Sequence, residues 1–371
     1  MAIEAQAPDR EETERERKET IRRVTLLLSI IFLVVGAVGA PLLTRIYFLH
    51  GGSRVWVTTI AQFIAFPVIL PVLYAAYLRS SRRGERKLVE LSAKVMATSV
   101  GIGIIAAVDS YLYAYGSMTL PVSTSTLLIA TQVVFTAIFA FLLVRHKFTA
   151  FSINAIVLLV IGAVLLGVQS NGDRPPGESD KKYYLGFFAM IGAAVLYGLM
   201  MPLIQWTYWW FKQKATLTTV MEMQIIISVS GVVFSAVAMI INKDFPAIKR
   251  EAEQVYELGE TKYYLVLVGA ALLWQVMSLG FLGVICCSSA LLAGVVIAML
   301  LPVGEILPVL LLDEKFTSAK GIATALCFWG FLSYLYGERR QTQEKPAAPP
   351  VNAGVELVAP RGSVVPAEAT P

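Results

Sequence analysis

The sequence predicts an all-α membrane protein with ten transmembrane helices arranged as two inverted five-helix repeats. Three observations carry that prediction. The first is composition: of 371 residues, 56% are apolar and only 15% charged, where soluble domains carry about 25% charged residues. The second is spacing, because the charges crowd into residues 1–23, 79–94, 173–182, 242–262 and 338–345 and leave long apolar runs between them. The third is a displaced self-match, described below.

The runs fall at 24–49, 55–78, 95–116, 120–144, 150–170, 183–210, 217–241, 263–284, 288–312 and 319–337. Crossing a bilayer as a helix takes about 20 apolar residues. A membrane strand needs only about 9–11 and alternates in polarity, which these runs do not. The ten spans are therefore expected to be helices. Residues 1–23 form a mixed-charge polar tail without the apolar core and cleavage site of a secretory signal. With that tail in the cytoplasm, most of the 31 Lys and Arg fall on the cytoplasmic side, as the positive-inside bias requires. Both termini are then cytoplasmic. The expected organisation is a cytoplasmic tail (1–23), a first five-helix repeat (24–170), an extracellular linker (171–182), a second repeat (183–337) and a disordered cytoplasmic tail (338–371).

Self-comparison supplies the repeat. Ala40-Pro41-Leu42-Leu43 recurs as Met201-Pro202-Leu203-Ile204, and Thr58-Thr59-x-x-Gln62 as Thr218-Thr219-x-x-Glu222. Tyr115-Gly116 with Ser125 matches Leu279-Gly280 with Ser289, and Lys147-Phe148-Thr149 with Gly162 matches Lys315-Phe316-Thr317 with Gly330. Each match is trivial alone. Four in one order, at offsets drifting from about 161 to 168, make a repeat of five spans. An odd number of spans inverts the second copy, and such folds place a substrate site near the midplane between the halves.

Ionisable groups inside a span cost on the order of 2.5–3.5 kcal/mol each and mark pathways or sites. Asp109, Glu222 and Glu305 are the candidates for proton coupling, whereas Arg45 near the outer end of the first span can snorkel. Planar and hydrogen-bonding groups gather around them. Trp56, Gln62, Tyr111, Gln132, Trp274 and Gln275 are the candidate substrate-binding residues. Glutamine offers a donor and an acceptor to a heterocycle's edge, and tryptophan stacks on its face. The repeat sets Trp274-Gln275 against Ser110-Tyr111, one polar and aromatic cluster in each half. Pro302 and Pro308 flank Glu305 and free backbone carbonyls beside it.

No phosphate-binding, dinucleotide, metalloprotease or nucleophile-elbow motif occurs in a suitable context. Neither an enzyme nor a cofactor is expected. Cys286, Cys287 and Cys327 lie in apolar runs without metal spacing, and His50 and His146 sit at span ends, so no metal site is expected. The net charge of +5 lies in short loops and reflects orientation, not nucleic-acid binding.

Several ordered segments carry a resemblance. They include Gly51-Gly52-Ser53-Arg54-Val55-Trp56, the run Asp109-Ser110-Tyr111-Leu112-Tyr113-Ala114-Tyr115-Gly116, Leu120-Pro121-Val122-Ser123-Thr124-Ser125, Trp274-Gln275, Leu300-Leu301-Pro302-Val303-x-Glu305, and Trp329-Gly330-Phe331. Over residues 24–338 the sequence resembles the plant purine permease family of the drug/metabolite transporter superfamily. The resemblance implies a plasma-membrane, proton-coupled symporter that takes up adenine-like bases, cytokinins and related heterocycles by alternating access. An alternative within that family is a permease for benzylisoquinoline or pyridine alkaloids, whose cationic ligand pairs with a carboxylate. From another class comes a membrane receptor or scaffold that binds such a ligand without moving it. The expected partners are a small heterocycle, protons and the lipid bilayer.

Overall fold

The computed structural model describes residues 10–81, 91–121, 124–125, 128–129, 131–144, 150–168, 180–213, 217–287, 300 and 318–344. Among these residues the regular structure is helical, with no strand. In chain order the helices are α1 (Arg10–Leu49), α2 (Val55–Ile64), a 3-10 turn (Phe66–Ile69), α3 (Leu70–Ser81), α4 (Ala93–Thr119), α5 (Gln132–Val144) and α6 (Ala150–Val168). There follow α7 (Asp180–Trp210), α8 (Leu217–Ile241), α9 (Asp244–Arg250), a π-helical turn (Glu251–Val255), α10 (Glu260–Cys287) and α11 (Ser318–Glu344). Six helical segments among the described residues are long and apolar enough to cross a membrane: Glu19–Leu49, Val55–Leu78, Ala93–Thr119, Lys181–Trp210, Thr218–Ile241 and Glu260–Phe281. The run 288–312, which carries Glu305, lies outside the described residues apart from Leu300, as do both Lys-Phe-Thr segments of the repeat.

Local chemistry explains the ends. Helix α1 starts well before the first apolar run because its charged extension is rich in helix formers, and Arg23 reaches back one turn to Glu19 at 2.6 Å. Ser92 caps α4 by accepting from the Val95 amide. The second apolar run is interrupted by the 3-10 turn, where Pro67 sits at the first turn and removes a donor. Helix α4 stops as Leu120 takes an extended conformation ahead of Pro121. The carbonyls freed there find an unexpected partner. Arg45, expected to snorkel outward, is buried and donates through Nη1 to Ser117 O at 2.8 Å and Met118 O at 3.2 Å. Unsatisfied carbonyls at a helix C-terminus attract a cation more strongly than the flexible route to water does.

The side chains pointing outward are apolar, among them Leu27, Leu28, Ile31 and Val35 of α1, Val233 and Val237 of α8, and Leu265, Val268 and Leu272 of α10. A water-soluble protein would hide such stripes; a lipid-embedded one presents them. Trp206 and Trp210 stack at 5.3 Å at the end of α7, and Trp210 is exposed, as in the aromatic belts at membrane interfaces.

Helix pairing is reciprocal. Helix α1 packs along α10 and α4 packs along α7, while α2 is held among α4, α8 and α10. A separate pair, α6 with α11, is joined where Asn154 donates to Ser333 Oγ at 3.0 Å. The repeat-related glycines Gly116 and Gly280 sit in the two reciprocal interfaces. A Cβ at Gly280 would lie 2.3 Å from Leu33 N of α1, and one at Gly116 would lie 2.7 Å from Met190 Cε of α7. Close backbone approach of this kind is how helices associate where there is no water to drive them together.

Candidate functional site

Most hydroxyls inside the helices satisfy themselves. Thr44 donates to Ala40 O, Thr58 and Thr59 to Val55 O, Ser99 to Val95 O and Ser230 to Ile226 O, the usual back-bonding to the preceding turn. Glutamine, indole and carboxylate groups cannot do this with the same ease. Among the described residues, four of those singled out from the sequence remain unsatisfied in the interior: Gln62 Nε2, Asp109 Oδ1, Trp274 Nε1 and Gln275 Nε2 are buried without a hydrogen-bond partner there. Ser125 Oγ and Ser235 Oγ share that state.

Aromatic contacts fix the level at which these groups lie. Trp56 of α2 stacks on Tyr111 of α4 at 4.3 Å with an interplanar angle of 28°, and its edge meets Phe234 of α8 at 6.3 Å. About two turns further along α2, Phe63 packs with Ile102 and Ala106 of α4 and Ile227 of α8. Helices α2 and α4 are thus antiparallel, and Gln62, beside Phe63, comes level with α4 within about one turn of Asp109. From α10, Trp274 meets Tyr113 edge to face at 5.8 Å, one turn along α4 from Asp109. Gln62 and the Trp274–Gln275 pair therefore lie about one turn to either side of Asp109, in a band about two turns deep on three neighbouring helices.

Asp109 is 7% exposed. Among the described residues it has neither a cation nor a hydrogen-bond donor; the hydroxyls in Coulombic reach belong to Tyr113 and Tyr197. Tyr113 is already paired with Ser117. Tyr197, on α7, escaped the sequence reading because a tyrosine in an apolar helix looks like any packing ring.

Two further predicted residues have contacts of their own. Gln132 opens α5 at its contact with α7, where a Cβ on Gly198 would come within 2.9 Å of Gln132 O. Glu222, five residues into α8, is 6% exposed. Its carboxylate accepts from Tyr77 Oη of α3 and, at 3.1 Å, from the Leu91 amide, so it ties α8 to the α3–α4 connection at the end of the molecule that bears the amino-terminal extension.

A charged cluster that the sequence reading assigned to topology lies at the opposite end. Glu251 is 4% exposed and Asp244 fully buried. Glu251 Oε1 accepts from Tyr47 Oη at 2.5 Å and Tyr263 Oη at 3.2 Å, and Oε2 from Ser53 Oγ at 2.8 Å. Arg54 bridges both acids, 3.2 Å from Asp244 Oδ1 and 3.7 Å from Glu251 Oε2. Their spacing of seven was the available signal, since it puts both carboxylates on one helix face.

A buried layer of unpaired planar donors and one uncompensated carboxylate, in a bundle of membrane-competent helices, fits a carrier of small heterocycles. Comparison with known proteins decides the family. A family model described as purine nucleobase transmembrane transport matches residues 24–344. The chain belongs to this family. Among its relatives in Arabidopsis thaliana, Purine permease 3 is 40% identical over 87% of this chain and 93% of its own length. Purine permease 2 is 37% identical over 88% and 95%, and Purine permease 21 is 31% identical over 88% and 83%. As a purine permease family member, the chain is a multi-pass membrane protein. The segments that carried the resemblance, Gly51–Trp56 and Asp109–Gly116, hold the α1–α2 corner and the Asp109–Tyr113 side of the permease's unsatisfied layer.

Proposed function

We propose that this permease is a proton-coupled importer of purine-like heterocycles, working by alternating access between two inverted five-helix halves. The observation that carries the reading is the band of buried groups at Gln62, Asp109, Trp274 and Gln275 that find no partner among the described residues. Leaving a buried polar group unpaired costs about 1–3 kcal/mol, so four within this band amount to a liability unless a ligand supplies the missing partners. A purine does so: its ring nitrogens accept from glutamine and indole N–H, and its exocyclic or ring N–H groups donate to a carboxylate. Trp274 and the Trp56–Tyr111 stack present aromatic surface to its faces, and Gln132 is assigned to the same ligand from the α5 side. The reciprocal pairing of α1 with α10 and α4 with α7 supports the inverted repeat, because exchanging first for sixth and third for eighth spans turns one pair into the other.

Asp109 is assigned the coupling role. Among the described residues its charged form has no donors to replace water, which suits a group that takes up a proton or a ligand during the cycle. Glu222 is already held by Tyr77 and the Leu91 amide and is the weaker candidate; Glu305 keeps the role proposed for it from its place between two prolines. Ten spans, plasma-membrane residence and cytoplasmic termini complete the reading.

The test is uptake of labelled adenine into yeast lacking its own purine uptake, with and without a protonophore. Saturable, concentrative uptake that collapses with the protonophore is expected; uptake indifferent to it refutes proton coupling. The uncompensated Asp109 also suits a protonated amine, which favours an alkaloid as second reading. Competition by a basic alkaloid and not by adenine would select it. Tight ligand binding without flux in proteoliposomes would select a receptor instead.

A further inference from the structure

Residues 242–259 form a strap across one end of the bundle. Lys243, with φ of 58°, and Gly259, with φ of 86°, bend the chain at either side of α9 and the π-helical turn. The underside of the strap is apolar. Ile248, Ala252 and Tyr256 pack with Tyr47, Val55, Ala114, Tyr111 and Tyr115, so the strap rests on the same Tyr111 whose ring stacks on Trp56. It covers the aromatic ledge that leads to the unsatisfied layer.

What holds it down is polar and local. Arg54, Ser53 and Tyr47 of the α1–α2 corner engage Asp244 and Glu251 of the strap. The Glu257 amide donates to His50 O at 3.1 Å, and Gly51, with φ of 98°, lets the corner approach until a Cβ would meet Val255 O at 2.8 Å. The corner and the strap belong to different halves of the repeat. At the other end, among the described residues, Glu222 accepts from Tyr77 and the Leu91 amide, and the Ser92 amide donates to Gln213 Oε1 at 3.4 Å.

We propose that the strap is the gate at this end of the permease and that the Arg54–Asp244–Glu251 network is its latch. The proposal rests on the alternating-access reading: one state of the cycle must expose the Trp56–Tyr111 ledge to this side, and these contacts are the ones that bar the way. A latch of charge-assisted hydrogen bonds suits the task, since every group in it can be rehydrated once lifted, whereas the apolar underside sets how readily it closes again.

The experiment uses the full chain in proteoliposomes, with Cys286, Cys287 and Cys327 replaced by serine and labelled adenine as the probe. The pair His50→Cys and Glu257→Cys joins corner to strap outside the latch itself. A short thiol-reactive cross-linker should cut adenine uptake more than 10-fold, and reduction should restore it; undiminished uptake by the cross-linked protein overturns the gate. A second arm needs no transport. In a chain carrying Ala114→Cys beneath the strap, Glu251→Gln should speed labelling by a bulky hydrophilic maleimide several-fold, while the variant elutes as a folded monodisperse protein in detergent. Unchanged labelling overturns the latch. If the chain without cross-linker moves no adenine, the transport reading fails and the labelling arm decides the strap by itself.

Discussion

Asp109 and Tyr197 show how differently two residues of one neighbourhood can advertise themselves. A carboxylate in an apolar run is conspicuous, and so are the glutamines and the Trp-Gln pair, because each has donors or acceptors that a helix in lipid cannot satisfy. Their burial was legible in the sequence: among the described residues, Gln62, Asp109, Trp274 and Gln275 each keep an atom without a partner. Asp109→Asn keeps the shape and removes the titrating group. It should lower concentrative adenine uptake more than 10-fold in proteoliposomes with an imposed pH gradient, while counterflow exchange persists; equal loss of both would make Asp109 a ligand-binding residue without a coupling role. Tyr197→Phe removes only a hydroxyl near that carboxylate, and is expected to shift the pH profile of uptake with little change in expression. Asp244 and Glu251 were not legible. Between apolar runs, charge is the default composition of a solvated loop, and only folding buries these two against Arg54, Tyr47 and Tyr263.

At the level of elements, several of the apolar runs locate a helix to within a few residues. The run 217–241 became α8, Leu217–Ile241, and the run 150–170 became α6, Ala150–Val168. What hydropathy cannot convey is packing distance, which depends on which face of a helix lacks side chains. Gly101 and Gly280 illustrate the gap, being equivalent as letters and opposite as neighbours. A Cβ at Gly101 would meet nothing within 4 Å, whereas at Gly280 it would overlap the backbone of α1. Gly280→Val is therefore expected to destabilise the folded protein by about 1–3 kcal/mol through overpacking. Gly101→Ala should be neutral or stabilising by up to about 1 kcal/mol, from helix propensity alone. Thermal unfolding of the purified variants in detergent, followed by tryptophan fluorescence, checks both. The interruption of the second run at Phe66–Ile69 was foreshadowed by Pro67, but the helical order inside 242–262 had no periodic apolar signal long enough to reveal it.

Across the whole molecule, the self-match at offsets near 161 to 168 is compatible with the observed pairing of α1 with α10 and of α4 with α7. The family assignment and the multi-pass character rest on residues spread along nearly the entire chain, which is why they could be read early, while the gate depends on contacts between segments far apart in sequence. The pairing of α1 with α10 has a consequence for biogenesis. Helix α1 enters the membrane first, yet the surface meant to lie against it is made only after α2 through α8 have followed. Until then its close-packing face has only lipid or provisional neighbours. A ribosome stalled before Glu260 should therefore display an α1 that is inserted but still accessible to lipid-phase photo-cross-linkers at Leu33, and release of the remaining chain should abolish that labelling. The packing of the finished permease obliges its first helix to wait for its partner.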